Sequence, residues 1–226
     1  MPDSNTCSRC ARGVSLLHMA SLRQIIASQG TVLVLDAASS RVQIGWLEAN
    51  GAEQWASSTD EAGVALFRGI EELGRNPAEA GAFIFCEGPG SILGIRTAAT
   101  AIRTWITIKP RPVYSYQSLD LVARALNKIG TTVIADARRQ LWHAQIVGEP
   151  LKRVPANELT GRLVVPEGFR NWSEAPAGVE RTPYDLAALF RATVDADVFH
   201  PCEDPDAFLH SEPDYKTWTP QIHRAP

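Results

Sequence analysis

The apolar positions of this chain change period along its length, and the changes mark out its elements. Thr31 to Leu35 (TVLVL) is a run suited to a buried strand, and it ends on Asp36 and the small residues Ala37, Ala38, Ser39 and Ser40. Val42, Ile44 and Trp46 then alternate with Gln43, Gly45 and Leu47, and Asn50-Gly51 leads into Glu53 to Ser57. Asn-Gly is a strong hairpin signal because both turn positions favour a positive φ, so the stretch predicts three antiparallel strands. From Asp60 to Gly74 the period becomes helical, with Val64, Leu66, Phe67, Ile70 and Leu73 apolar. Ala82 to Cys86 predicts another buried strand, which runs through Gly88-Pro89-Gly90-Ser91 into a helix from about Gly94 to Ile108. Pro110 and Pro112 end that helix.

The theme then repeats: a helix from Ser118 to Asn127, Gly130, a strand from Thr131 to Ala135, the turn Asp136-Ala137-Arg138-Arg139, and a strand from Leu141 to Val147. The segments LVLDAASSRVQIGW and VIADARRQLWHAQI place their aspartates at matching points, as two related lobes would. After Gly148 the pattern decays. Pro150, Pro155, Pro166 and Pro176 interrupt it, and one strand, Leu163 to Val165, is expected. A short helix is predicted from Pro183 to Ala192, with Thr182 as N-cap and Pro183 at the first helical position. Residues 200–226 read as an extended, proline-rich tail pinned by Tyr215 and Trp218, and residues 1–20 as a poorly ordered extension.

Charge narrows the function. Lys plus Arg number 22 against 25 Asp plus Glu, a net charge of −3, which supplies no overall field for a polyanion. Any nucleic acid should therefore be held through a partner. No apolar run approaches the roughly 18 residues of a membrane-spanning helix. Four cysteines at unrelated spacings point to a reducing cytoplasm rather than a disulfide framework. Cys7 and Cys10 form a single C-x-x-C, half of a zinc site or a redox pair, and the other two ligands of a tetrahedral site are missing.

The candidate chemistry is correspondingly sparse. Asp36 and Asp136 each close a buried strand, where an aspartate either organises a metal or water beside a phosphate or caps its own turn. Together they favour an ATP-type cleft between two lobes, with Ser39, Gly88 and Gly90 on its phosphate side. Gly88-Pro89-Gly90-Ser91 lacks the Lys of a P-loop, and the glycine after it falls at position 94, one late for G-x-G-x-x-G. There is no H-x-x-x-H pair and no Gly-x-Ser-x-Gly elbow, and Cys86 reads as inert core, so no complete catalytic set emerges. The two central helices carry more apolar surface than one sheet can cover. That predicts a helical interface with a second protein through Leu66, Phe67, Ile70 and Leu73 on the first, and Ile95, Ala98, Ala101, Ile102 and Trp105 on the second.

These segments, in this order, resemble the TsaB (YeaZ) family. LVLDAASS, EGPGSILGIRTA, YSYQSLD and IADARRQLW carry the resemblance, over about residues 31 to 147. The family's G-P-G-S-F-T-G-x-R is matched by Gly88, Pro89, Gly90, Ser91, Gly94 and Arg96, and its D-A-R by Asp136, Ala137 and Arg138. The family's Thr after the first Asp is Ala37 here, its Phe and Thr are Ile92 and Leu93, and a later Gly is Ala98. The resemblance implies an α/β ASKHA fold (actin-like ATPase, RNase H-like) of two lobes of mixed sheet with helices. The first lobe would span residues 21–112, and residues 113–226 would form an abbreviated second lobe with the tail. It also implies a non-catalytic role: a subunit of the tRNA N6-threonylcarbamoyladenosine machinery that pairs with a catalytic TsaD, is joined by the ATPase TsaE, and dimerises alone. Such a subunit meets tRNA only through the complex, requires no cofactor, and takes at most weak ATP or ADP with Mg2+. The alternative is an ATP-binding enzyme of the same fold, a phosphotransferase or M22-type peptidase.

Overall fold

The structure, a computed structural model, describes residues 19–208. Cys7, Cys10, Tyr215 and Trp218 lie outside the described residues. Two mixed sheets, built on one plan, organise the chain. In the first, β1 (Thr31–Asp36), β2 (Val42–Glu48) and β3 (Glu53–Ser58) form an antiparallel meander. Next, β4 (Ala82–Gly88) pairs parallel to β1, and β5 (Val113–Gln117) parallel to β4. The second repeats this with β6 (Thr131–Asp136), β7 (Leu141–Gln145) and β8 (Lys152–Pro155) as the meander, then β9 (Arg162–Pro166) and β10 (Glu180–Thr182). The matching aspartates are thus the last residues of equivalent strands.

The first sheet is covered on both faces. Leu33, Leu35, Ile44, Phe83 and Phe85 pack against Leu66 and Ile70 of α2 (Ala62–Leu73) and Ala98, Ala99 and Ile102 of α3 (Ile92–Ile108). The opposite face, with Val32, Val34, Ile84 and Tyr116, joins Val133 and Ala135 of the second sheet in one core. Into that core pack α1 (Leu22–Gln29), α4 (Ser118–Leu126) and α5 (Leu186–Ala192). The outer face of the second sheet holds only Ile134, Trp142 and Val165 in a small core with Leu159, Leu163 and Val179. No α-helix lies between β8 and β9 or between β9 and β10, and this is what abbreviates the second half.

The sheets divide the chain after β5, not at residue 112. Val113–Gln117 hydrogen-bonds to β4, and β11 (His200–Pro201) returns from the far end of the chain to pair with β5. The last predicted helix also begins later, at Leu186, with Asp185 as N-cap accepting from the Ala188 N–H at 3.0 Å. Thr182 belongs to β10, and the Tyr184 carbonyl is held outside the helix by N–H donors of Arg41 and Gln43 at 2.9 and 3.0 Å. The Asn50-Gly51 hairpin forms, but only Gly51 takes a positive φ, 87°. The Gly51 N–H donates to the Glu48 carbonyl at 3.0 Å, a tight turn followed by a glycine bulge rather than a two-residue turn.

Candidate functional site

Between the sheets lies a cleft of about 800 Å3, within the usual range for small-molecule sites. Ala38, Ser39 and Ser40 after β1 and Gly90 and Ser91 before α3 form one wall. Asp136 and Arg138 after β6, Arg153 of β8 and the loop from Gly168 to Trp172 form the other, with Arg96 and Phe208 at the edge. The two walls are stitched together where the Ser40 N–H donates to the Gly168 carbonyl at 2.8 Å and the Phe208 N–H to the Glu87 carbonyl at 2.7 Å.

Of the residues expected to serve a nucleotide, Ser39, Gly90 and Asp136 line this cleft. Asp36 and Gly88 do not: both are buried beneath it. Asp36 has no solvent-accessible surface; its Oδ1 accepts from the Ala38 N–H at 2.8 Å, and its Oδ2 from the hydroxyls of Tyr116 and Tyr184 at 2.5 and 2.7 Å. Burial raises its pKa above the ordinary carboxylate range, and the donated hydrogen bonds only partly offset that. Asp36 is a buried fastener, not a group poised over a ligand. The same network sits beside Cys86, whose thiol is pushed well up by burial and by the Asp36 charge, consistent with inert core.

Asp136 behaves differently. Desolvation raises its pKa, but N–H donors of Arg138 (2.6 Å), Ser173 (2.6 Å) and Trp172 (2.7 Å) outweigh it and hold the carboxyl below its ordinary value. It remains ionised and ties the β6–β7 turn to the loop after β9. The glycines here serve close approach. A Cβ at Gly90 would stand 2.4 Å from the Ala38 carbonyl oxygen, and one at Gly94 would stand 2.1 Å from that of Ala37. The G-P-G-S-x-x-G spacing thus lets the start of α3 pass against the β1–β2 turn.

The helical surface is redistributed as well. Leu66, Ile70, Ile95, Ala98, Ala101 and Ile102 are buried in the chain's own core. Trp105 is half-buried with its ring stacked on Phe83 at 5.5 Å, and Leu73 is half-buried against the same core. Phe67, 54% exposed, faces solvent as expected. The sheet takes the richer apolar side of α3 because that side buries the most area there. The exposed side holds Leu93, Thr97, Thr100, Thr104 and Thr107, spaced alternately four and three residues apart, with Ile108 at its end. The hydroxyls of Thr97, Thr104 and Thr107 donate to carbonyls four residues back at 2.8, 2.9 and 2.7 Å. With those hydroxyls turned back on the helix, the stripe carries no charge, beside exposed Val64 and Phe67 of α2. Periodicity misses this seam because threonine counts as polar in a hydrophobicity pattern.

Two lobes of mixed sheet on one strand plan, meeting at a cleft, define an α/β protein of the ASKHA-like class. Among solved structures, the chain is similar to YeaZ from Pseudomonas aeruginosa, with a TM-score of 0.59 at 16% identity over 80% of this chain and 99% of that one. It is also similar to an uncharacterized protein described as similar to peptidase YeaZ from Pseudomonas aeruginosa, with a TM-score of 0.54 at 16% identity over 72% and 89% of the two chains. No known family's sequence profile matches the chain, and no curated protein does. The shared fold is the one that the sequence resemblance implies. Among the described residues, no group of three or more His, Cys, Asp or Glu is placed to hold a metal ion, and no helix is long and apolar enough to cross a membrane.

Proposed function

We propose that this chain is a TsaB-type partner subunit of the threonylcarbamoyladenosine machinery, supporting a TsaD-like transferase rather than performing the chemistry. In this reading a TsaE-like ATPase joins the pair, tRNA is met only through the complex, the chain pairs with a second copy when alone, and all of this happens in the cytoplasm. The observation that carries it is the uncharged outer seam of α3 beside Val64 and Phe67. Positions alternating four and three residues apart are the spacing with which one helix packs along another, and no part of the described chain covers them. The YeaZ-like fold and the G-P-G-S-x-x-G-x-R and D-A-R segments support the same reading. The enzymatic alternative, a phosphotransferase or M22-type peptidase, would use Asp36 as a working carboxylate, and both of its oxygens are already committed in the core.

Co-expression with a TsaD-like protein and affinity capture tests the proposal. The wild-type chain should retain the partner, Thr100→Arg should release it, and Ile129→Glu, at an exposed position on another part of the surface, should leave capture unchanged. Normal capture by the Thr100→Arg variant would remove the seam as the interface.

A further inference from the structure

The cleft has a chemical character that the partner role does not use. Although the chain is net negative, four arginines line this one cavity: Arg96, Arg138, Arg153 and Arg170. The opposing charges are few. Arg96 shares Asp206 at 3.3 Å, and Asp136, the one carboxylate on the wall among the described residues, has its oxygens taken by backbone N–H groups. Arg138 and Arg170 both lie over the ring of Trp172, at 4.4 and 3.9 Å from its centroid. Two guanidiniums on one ring are no more than about 8 Å apart, close enough to repel, and a bound anion between them relieves that repulsion.

The backbone is arranged at some cost to keep this geometry. Arg138, Arg139 and Gln140 are consecutive non-glycine residues in the left-handed region, with φ of 63°, 54° and 60°. Each such residue costs roughly 1 kcal/mol, and such strain persists where surrounding structure enforces it, commonly at binding sites. Here the Asp136 carboxylate enforces it by accepting the Arg138 N–H, which sets that side chain over Trp172. Arg153 donates one N–H to the Ala137 carbonyl at 3.0 Å, and its buried Nε has no hydrogen-bond partner among the described residues. The wall is therefore positively charged and incompletely satisfied.

We infer that the inter-sheet cleft is a binding site for a small ligand bearing a diphosphate group, held by the guanidiniums of Arg138, Arg153 and Arg170 without a bridging divalent cation. Guanidinium matches phosphate oxygens with paired N–H donors, and a low-dielectric cleft strengthens the match. Arginines here take the neutralising role that a metal held by aspartates would otherwise fill, since Asp36 is buried and Asp136 is engaged. The inference is independent of the partner-subunit reading, because it concerns the isolated chain.

Calorimetric titration of the purified chain with pyrophosphate, and separately with ADP, tests it in EDTA and in Mg2+. Saturable binding of either ligand is expected in EDTA, changed less than about twofold by Mg2+ and weakened about tenfold or more in an Arg138→Gln/Arg170→Gln double variant. Both side chains are exposed, so this variant should keep its fold, with circular dichroism as the check. Arg153→Gln should weaken binding too, whereas Arg23→Gln/Arg162→Gln, which removes two surface arginines outside the cleft, should not. The inference is overturned by any one of three results: no saturable heat with either ligand up to millimolar concentration, binding that requires Mg2+, or equal weakening by the two double variants.

Discussion

The hydroxyl of Tyr184 donates to Oδ2 of Asp36 at 2.7 Å across 148 positions of chain, and it joins the start of the first sheet to the segment entering α5. Tyr116 donates to the same oxygen from β5, so one carboxylate holds three distant segments together inside the core. Replacing Asp36 with alanine strands two buried hydroxyls and the Ala38 N–H, each worth about 1–3 kcal/mol when left unpaired. Asp36→Ala should therefore lose about 3 kcal/mol or more in denaturant unfolding. At temperatures where that variant remains folded, ligand binding in the cleft should be unchanged, which separates a fastener from a ligand-contacting carboxylate.

The same carboxylate gives stability a pH dependence of definite sign. Its pKa is raised in the folded chain because burial penalises the charged form. The folded state therefore holds the proton more tightly than the unfolded state does, and the associated stability is present below the ordinary carboxylate pKa. It is lost as pH rises from that range through the raised folded value. Wild type minus Asp36→Asn stability, measured by urea unfolding at a series of pH values, should fall across this window and then level off. A difference that grows with pH would contradict the buried, proton-retaining assignment.

Leu66 and Phe67 are adjacent in sequence and opposite in fate. Leu66 is 1% exposed against the first sheet, and Phe67 points outward beside the α3 seam. Leu66→Glu places an unpaired carboxylate in the core and should cost more than about 4 kcal/mol, appearing as loss of soluble, folded protein. Phe67→Glu should leave the unfolding midpoint within about 0.5 kcal/mol of wild type while reducing capture of the TsaD-like partner. Equal capture by wild type and a folded Phe67→Glu variant would place the interface elsewhere.

The fold is largely legible in the sequence because the strong signals are local. The TVLVL and AFIFC runs, the helical period of 60–74 and the paired LVLD and VIAD segments all lie where the structure has them. What escapes is either short or defined by pairing. Lys152–Pro155 and Glu180–Thr182 are strands because β7 and β9 supply partners, not because their own residues alternate. Leu22–Gln29 does carry a signal, the Ser21 and Gln24 capping box, although its apolar stripe is brief. The cleft is half legible: the turn aspartates mark its ends, whereas Arg153, Arg170 and Trp172 are scattered in sequence and meet only through the topology of the second sheet. The fastening role of Asp36 is hidden for a related reason, since its tyrosine donors come from positions 116 and 184.

Gly94 tests whether the glycine loop is built for packing. A Cβ there would collide with the Ala37 carbonyl oxygen at 2.1 Å, and that contact is with backbone, which cannot swing aside as a side chain would. Gly94→Ala must therefore push the N-terminal turn of α3 off the β1–β2 turn. The Ser91 N–H, which donates to the Ala38 carbonyl at 2.7 Å, lies in the path of that movement. Overpacking of this kind costs about 1–3 kcal/mol, and the loss of the Ser91 bond adds to it. Calorimetric melting should show a clear fall in Tm for Gly94→Ala. Gly63→Ala, on α2 with open space around the added Cβ, should hold or raise the Tm, because alanine favours a helix over glycine by about 1 kcal/mol. An undiminished Tm in the Gly94→Ala variant would mean that the loop has slack, and the close approach would then not be what the glycine spacing serves.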